Sequence, residues 1–316
     1  MSEERKISWF EGTPLGISIY SAERIPTQLH DENILEIIFC LKGEITLSYG
    51  YEDIPLRAGE FVSIDKDSYY LCDGADNICI SFYINLNSFE AKYPFITSIL
   101  FVCEGIGKNL DRADFRQLKG TLISLLKYLI DTPEPDTGRI NDITERIVKM
   151  FISRFDILFF WYINPDDVTE ELMDRYHKIN VYMYEHFTES ITVNDLADEL
   201  NLTPGYVSEY LRKISVGFRN MLSYRRANMS EPLLLGTDST IVQISEECGF
   251  SDVKYFYSAF KKWYNCTPAQ FRNKYGGSST RASRILYYSL ENIRGELDSS
   301  LVNHYLEMFL KEFKNL

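Results

Sequence analysis

The sequence predicts an α+β multidomain chain. An N-terminal β-barrel is followed by a helical linker and by a C-terminal all-α part with a double helix-turn-helix. Three observations predict this. Short apolar runs broken by turn-forming clusters fill residues 1–87. From about residue 112 the apolar residues recur at helical spacing instead. One helix-turn-helix pattern occurs twice between residues 191 and 262.

The apolar runs of the first part are 34–41, 45–49, 61–64, 69–72 and 78–84, each of strand length. Between them stand 42–44 (KGE), 49–53 (YGYED), 57–60 (RAGE) and 73–76 (DGAD), all turn-forming clusters. Strands so short and so closely spaced suggest a sandwich or barrel. Further on, Leu118, Leu122, Leu125, Leu126 and Leu129 fall on one helical stripe. That stripe packs on the barrel or pairs two chains. The breaker DTPEPDTG at 131–138 separates it from a second helix expected over 141–163. Pro165, Asp166 and Asp167 mark a boundary, and 168–275 reads as short helices. Residues 276–284 (GGSSTRASR) are polar and flexible in composition. The tail beyond is amphipathic: Leu301, Tyr305, Met308 and Phe309 share one face, and Leu306, Leu310 and Phe313 another. The expected division is 1–87, 88–166, 167–275 and 276–316.

A chain of 316 residues is long enough for two domains. Its 45% apolar and 25% charged residues are an ordinary soluble composition. The start MSEERKISWF has no apolar run behind its charges, so no signal peptide is expected. The most apolar run, 151–163, is broken by Arg154 and Asp156 and is too short to cross a bilayer. A cytoplasmic protein without a membrane partner is expected. The six cysteines form no CxxC pair and read as reduced thiols. The net charge of −13 is unevenly spread: residues 1–170 sum to −12, whereas 201–284 sum to +6. A local basic face matters more to DNA than the average, because counterions are released only where phosphate is touched.

That basic segment holds most of the repeat. When 191–213 is set beside 241–262, Ala197 falls against Ser245, a small residue inside the first helix. Asn201 falls against Gly249, where the turn needs a left-handed residue. Leu202 and Phe250 follow as apolar plugs, and Thr203 and Ser251 are the N-cap candidates of the second helix. Tyr206 and Tyr255 stand near its start, the second copy having one extra residue there. Phe250, Phe256, Phe260, Tyr264 and Phe271 read as core, and the lysines of 252–263 as outward. Such a unit can lay its second helix in the major groove.

The run LLLGTD at 233–238, isoleucines at 241 and 244, GFSD at 249–252, Tyr255-Phe256, FKK at 260–262 and TPAQFR at 267–272 resemble the DNA-binding domain of AraC/XylS-type transcription regulators. The resemblance covers residues 175–275. It implies recognition helices at about 204–214 and 252–263, held roughly 34 Å apart by a helix at about 218–235. The expected DNA contacts are Thr203, Gly205, Ser208, Glu209 and Arg212 in the first unit, and Ser251, Lys254, Tyr257, Ser258 and Lys261 in the second. Lys262, Arg225 and Arg226 are candidates for phosphate or plain surface charges. Three residues depart from the pattern. Pro232 lies inside the connecting helix, Ser258 stands where the family often has Arg, and Glu209 repels phosphate while suiting cytosine.

Residues 28–47 and 55–65 resemble the small cupin barrel that often precedes such a domain. His30 and Glu36 keep the cupin spacing, with Gly43 beyond, but Glu32 and Tyr70 stand where two further metal-binding histidines belong. No metal and no cofactor are therefore expected. His30, Glu36, Tyr49, Tyr51, Tyr70 and Phe82, with Tyr69 and Asp53, suit a small polar effector such as a sugar. The leading expectation is a non-enzymatic, homodimeric regulator that binds double-stranded DNA and a small-molecule effector. The alternatives are a cupin-type enzyme with a vestigial helix-turn-helix half, and an acidic protein-interaction module with weak DNA binding.

Overall fold

The structure is a computed structural model. It describes residues 6–29, 33–49, 52–64, 69–94, 96–159, 161–162, 169–275, 284–291, 307–309 and 311. The chain forms two compact units. The first comprises Met1–Phe89, Phe101–Asp156 and Ala282–Leu316; the second comprises Glu90–Leu100 and Ile157–Arg281.

The first unit is built on an antiparallel sheet. Its early strands are β1 (Ser8–Trp9), β2 (Leu15–Leu29), β3 (Ile34–Tyr49), β4 (Glu52–Arg57), β5 (Phe61–Ile64) and β6 (Tyr69–Asn85). After β7 (Leu100–Val102) comes β8 (Glu104–Gly105), and β11 (Arg284–Tyr288) joins from the tail. The order is β1-β2-β6-β3-β5-β8, with β11 on β2 and β4 on β3. Among the described residues this path has two ends, so the expected closed barrel is an open sheet.

Two of the expected turns are absent. β3 runs straight through 42–44 and β6 through 73–76, and the two irregularities face each other. The register shifts between Cys40 and Lys42 and again between Lys42 and Glu44, which makes this a bulge. Gly43 has φ +73°, and a Cβ there would lie 2.4 Å from the Asp76 carbonyl oxygen. On the other side of β6, buried Asn77 fills the register shift against β2, accepting from the Ala22 amide and donating to the Ala22 carbonyl at 3.0 and 2.7 Å. The turn at 57–60 does form; Tyr49 pairs with Glu52, and residues 50–51 between them lie outside the described residues.

Helices α1 (Ala113–Asp131) and α2 (Thr137–Arg154) pack against each other in this unit. The stripe Leu118, Leu122, Leu125, Leu126 and Leu129 is buried within the chain, so it is not an open pairing face. The helix expected over 141–163 ends at Arg154. Phe155 is extended, and β9 (Asp156–Phe159) pairs antiparallel with β10 (Trp161–Tyr162). A run of Ile, Phe, Trp and Tyr favours strand once the helical stripe ends.

Two pieces of the tail also lie here. β11 pairs with β2, and the Tyr287 ring meets Tyr20 edge-on at 6.2 Å. Phe309 is buried against Phe39 at 5.8 Å, whereas Met308 is exposed. Leu301, Tyr305, Leu306 and Phe313 lie outside the described residues.

The second unit is helical: α3 (Glu170–His186), α4 (Val193–Glu199), α5 (Pro204–Ile214), α6 (Phe218–Gly236), α7 (Ile241–Glu247), α8 (Val253–Tyr264) and α9 (Pro268–Tyr275). Its core includes Tyr176, Leu196, Val207, Leu211, Met221, Ile244, Phe256 and Phe260, all nearly or fully inaccessible. Phe250, Phe256, Phe260, Tyr264 and Phe271 form one ring cluster, as their apolar character predicts. α6 spans the whole of 218–236 with Pro232 inside it. Arg272 of α9 closes its end, donating to the carbonyls of Leu234 and Ser239 at 2.9 and 2.7 Å.

Candidate nucleic-acid interface

The first helix and turn of the unit α4–α5 are built like those of α7–α8. Each first helix opens on a capping box, Thr192 with Asp195 and Thr240 with Gln243. Ala197 and Ser245 are buried where the second helix crosses. The turn residues take positive φ, +53° at Asn201 and +78° at Gly249. The next amide then reaches back five residues, from Leu202 to Ala197 at 2.8 Å and from Phe250 to Ser245 at 3.0 Å. Asn tolerates the left-handed region at the first turn. At the second, Gly is required, because a Cβ on Gly249 would lie 2.6 Å from the Thr188 carbonyl oxygen.

Thr203 caps α5 by accepting from the Tyr206 amide at 3.3 Å, with Pro204 in the first turn. The cap of α8 is Asp252, not the expected Ser251. Its carboxylate accepts from the Lys254 amide at 2.8 Å and pairs with the Lys254 ammonium at 3.0 Å. The extra residue in this copy moves the cap one place along. The amide bond and the ammonium together hold the Asp252 carboxyl below its usual range, and the Asp252 carboxylate in turn raises Lys254.

The second helices are amphipathic in the sense a groove requires. α8 buries Phe256, Ala259, Phe260 and Tyr264 and exposes Lys254, Tyr257, Ser258 and Lys261, with Ser251 just ahead. α5 buries Val207 and Leu211 and exposes Gly205, Glu209 and Arg212; Thr203 is exposed before it and Ser208 is half-buried. Past the Asp252 cap, α8 carries no acid, and α5 carries only Glu209. Between them lies a cleft of about 1050 Å³ bordered by Ser208 and Arg212 of α5, Arg219 and Asn220 of α6, and Ser258 and Lys262 of α8. Arg219 and Asn220 were not among the expected contacts. The one available sequence signal was their place just after Gly217, whose φ of +81° starts α6.

The remaining cations differ in their engagement. Lys262 donates to Asn220 Oδ1 at 2.6 Å and lies 4.3 Å from the Trp263 ring centre. The Arg225 guanidinium lies 5.6 Å from the Tyr184 ring. Arg226 is tied into the fold, donating to the carbonyls of Phe187 and Glu189, both at 2.7 Å. Burial lowers its pKa.

The expected effector residues are not all brought together. Glu36 pairs with Tyr83, and Ile37 with Phe82, so Glu36 and Phe82 lie on opposite faces of the sheet. Glu36 is fully buried and shares its face with Ile38 and Cys40 of an aliphatic cluster that includes Leu47, Leu56 and Ile64. Tyr49 and Tyr70 are a cross-strand pair of β3 and β6, and Tyr69 pairs with Leu29 of β2. Asp53 is exposed on β4. His30, Glu32 and Tyr51 lie outside the described residues. Among the described residues there is no group of three His, Cys, Asp or Glu able to hold a metal, and no helix long and apolar enough to cross a membrane.

Two capped helix-turn-helix units, joined by one helix and each presenting an exposed second helix, are the architecture of a double helix-turn-helix domain. Residues 196–274 match the family described as "Helix-turn-helix domain". The chain is similar to the HTH-type transcriptional regulator ExsA of Pseudomonas aeruginosa, 28% identical over 265 residues, covering 82% of this chain and 92% of that protein. It is 38% identical over 80 residues to the urease operon transcriptional activator of Escherichia coli, or 25% of this chain and 27% of that one. An uncharacterized HTH-type transcriptional regulator of Escherichia coli, YijO, is 27% identical over 106 residues, or 33% and 38% of the two chains. The chain thus spans well under half the length of these last two relatives. Residues 196–274 thus form a helix-turn-helix domain of the AraC/XylS type, in a chain similar to HTH-type transcription regulators.

Proposed function

We propose that this chain regulates transcription by placing α5 and α8 in successive major-groove segments on one face of duplex DNA. A small molecule bound to the β-rich unit sets the response. The observation that carries this reading is the outward face of both second helices, hydroxyl-bearing and basic, on either side of one cleft. Tyr257, Ser258, Ser208 and Arg212 are placed to read base edges, and Glu209 to accept from a cytosine amino group. Lys254, Lys261 and Lys262 answer phosphates, with Thr203, Gly205 and Ser251 at the helix starts and Arg225 further back. Each phosphate contact steepens the fall of log affinity with log salt by about 0.9. Titration of a duplex selected from a random pool, at two salt concentrations, is expected to give saturable, salt-sensitive binding. Lys254→Glu with Lys261→Glu is expected to weaken it on every sequence and to flatten the slope. Binding that ignores salt, or that survives both substitutions, would count decisively against this reading.

The same proposal has the β-rich unit sense a small polar molecule, tested first with sugars. What supports it is the Glu36 carboxylate, buried in the same sheet whose strands β3 and β6 carry Tyr49 and Tyr70. Calorimetric titration with a panel of mono- and disaccharides checks it, and no heat with any of them removes the sugar. A homodimer completes the proposal, through a face other than the buried leucine stripe; light scattering reads its mass. Binding to chromosomal DNA places its work in the cytoplasm.

A further inference from the structure

Tyr206 sits in the first turn of α5 with 45% of its surface exposed. A ring so exposed is ordinarily free to turn, but this one is held. Arg175 of α3 donates through Nη1 to its hydroxyl at 2.7 Å. The same guanidinium lies 5.3 Å from the Tyr206 ring centre and 5.2 Å from that of Tyr210. The Tyr210 ring lies nearly parallel to Tyr206, 6.4 Å away, and its hydroxyl donates to the Leu172 carbonyl at 2.8 Å. Glu171 accepts from the other prong of Arg175 at 2.7 Å, so the guanidinium plane is fixed from both ends.

The direction of the bond matters. A guanidinium has donors only, so the Tyr206 oxygen accepts from it, and the phenolic hydrogen is left to be donated outward. At 100° per residue, Gly205, Ser208, Glu209 and Arg212 share one stripe of α5. Tyr206, Tyr210 and Lys213 form the adjoining stripe. If the first stripe lies over base edges, the second runs beside the groove wall, where the acceptors are phosphate oxygens.

We infer that Tyr206 is a DNA-backbone contact whose hydroxyl donates to a phosphate oxygen at the start of α5, and that Arg175 is the residue that positions it. A ring ordered before binding loses little freedom on binding. The inference rests on α5 entering the major groove, as proposed above.

The test uses the full chain, a duplex selected from a random pool and a scrambled duplex of the same composition. Tyr206→Phe is expected to weaken binding to both duplexes alike, about 2-fold to 10-fold, as for one neutral hydrogen bond. The salt slope should stay as in the wild type, since no charge is lost. Arg175→Met should give the same loss, add nothing in the Tyr206→Phe background, and be partly rescued by Arg175→Lys. Unchanged hydrogen exchange across 204–214 in Tyr206→Phe shows that the helix is intact. Wild-type affinity of Tyr206→Phe overturns the inference, as does a loss confined to the selected duplex, which would mark a base contact. A salt slope flattened by about 1 in Arg175→Met overturns the positioning role, because Arg175 would then touch phosphate itself. If the wild type shows no salt-sensitive duplex binding, the major-groove reading falls and this inference with it.

Discussion

Gly249→Ala separates two costs that a glycine at a tight turn can hide. The first is conformational: with φ at +78°, an L residue is strained by about 1–2 kcal/mol. The second is steric. The added Cβ would stand 2.6, 2.7 and 2.8 Å from the carbonyl oxygen, Cα and carbonyl carbon of Thr188. All three are backbone atoms, so no side chain can rotate away, and the segment after α3 must shift. Overpacking of that kind costs about 1–3 kcal/mol. The sum, about 2–5 kcal/mol, is a large part of the roughly 5–15 kcal/mol that holds a domain folded. Gly217 is a comparison without the contact: its φ is +81° and its ψ 160°, a region essentially reserved for glycine, but nothing lies within 4 Å of its virtual Cβ. Gly217→Ala should therefore show backbone strain alone, about 1–3 kcal/mol. Urea unfolding read by hydrogen exchange in peptides from 241–264 and 218–236 measures both in the full chain. A loss for Gly249→Ala of only about 1–2 kcal/mol, the strain alone, would show that the contact with Thr188 does not constrain the turn, and the steric argument for glycine at 249 would be wrong.

Phe309→Ala should destabilise the first unit by about 3 kcal/mol, the cost of emptying a buried ring site. Exchange should quicken in α1 and β3, beside Phe39 and Lys119, while α7 and α8 stay protected. Tyr264→Phe takes a donor from buried Glu231 of α6 and should cost about 1–3 kcal/mol, seen as a lower urea midpoint for the helical unit. The carboxyls of Asp252 and Asp195 sit below their ordinary value of 3.8 when folded, held by amide and side-chain bonds at their helix starts. Their stabilisation is present above that value and lost as pH falls through the lower folded one. The first turns of α8 and α4 should thus keep their amide protection at pH 5 and lose it only below about pH 4; loss at pH 5 to 6 would contradict the assignment of the caps.

How much of this was legible depends on whether a residue type has one structural use or several. The helix-turn-helix repeat was legible because its parts are demanded at fixed offsets. A small residue must lie under the crossing helix, a positive φ must follow four residues later, and an apolar plug must come next; Ala197, Asn201 and Leu202 fit, as do Ser245, Gly249 and Phe250. The Gly and Asp of 42–44 and 73–76 gave a false reading for the opposite reason. Positive φ serves hairpin turns and bulges equally, and Gly43 and Asp76 have it. Only the pairing of β3 with β6, made between residues far apart in sequence, shows that the two kinks answer each other. The cap at Asp252 was missed because Ser251 and Asp252 are both good caps, and backbone geometry chose between them. The split of Glu36 from Phe82 follows from register, which no single strand contains.

The tail illustrates a harder limit. Amphipathic spacing says that a face must be covered, never by what. Here β11 extends the sheet along β2, and Phe309 closes on Phe39, so both described pieces of the tail belong to the β-rich unit and not to the helices they follow. The chain therefore leaves that unit twice, for residues 90–100 and again for 157–281, and rejoins it each time. The helix-turn-helix part thus lies between two stretches of chain that both belong to the β-rich unit, unlike a domain simply appended to a linker. Both described pieces of the tail pack on strands of that same unit. Loosening the tail should for that reason register first in the β-rich unit, which is why the Phe309 variant is read by exchange in α1 and β3 and not by DNA affinity alone.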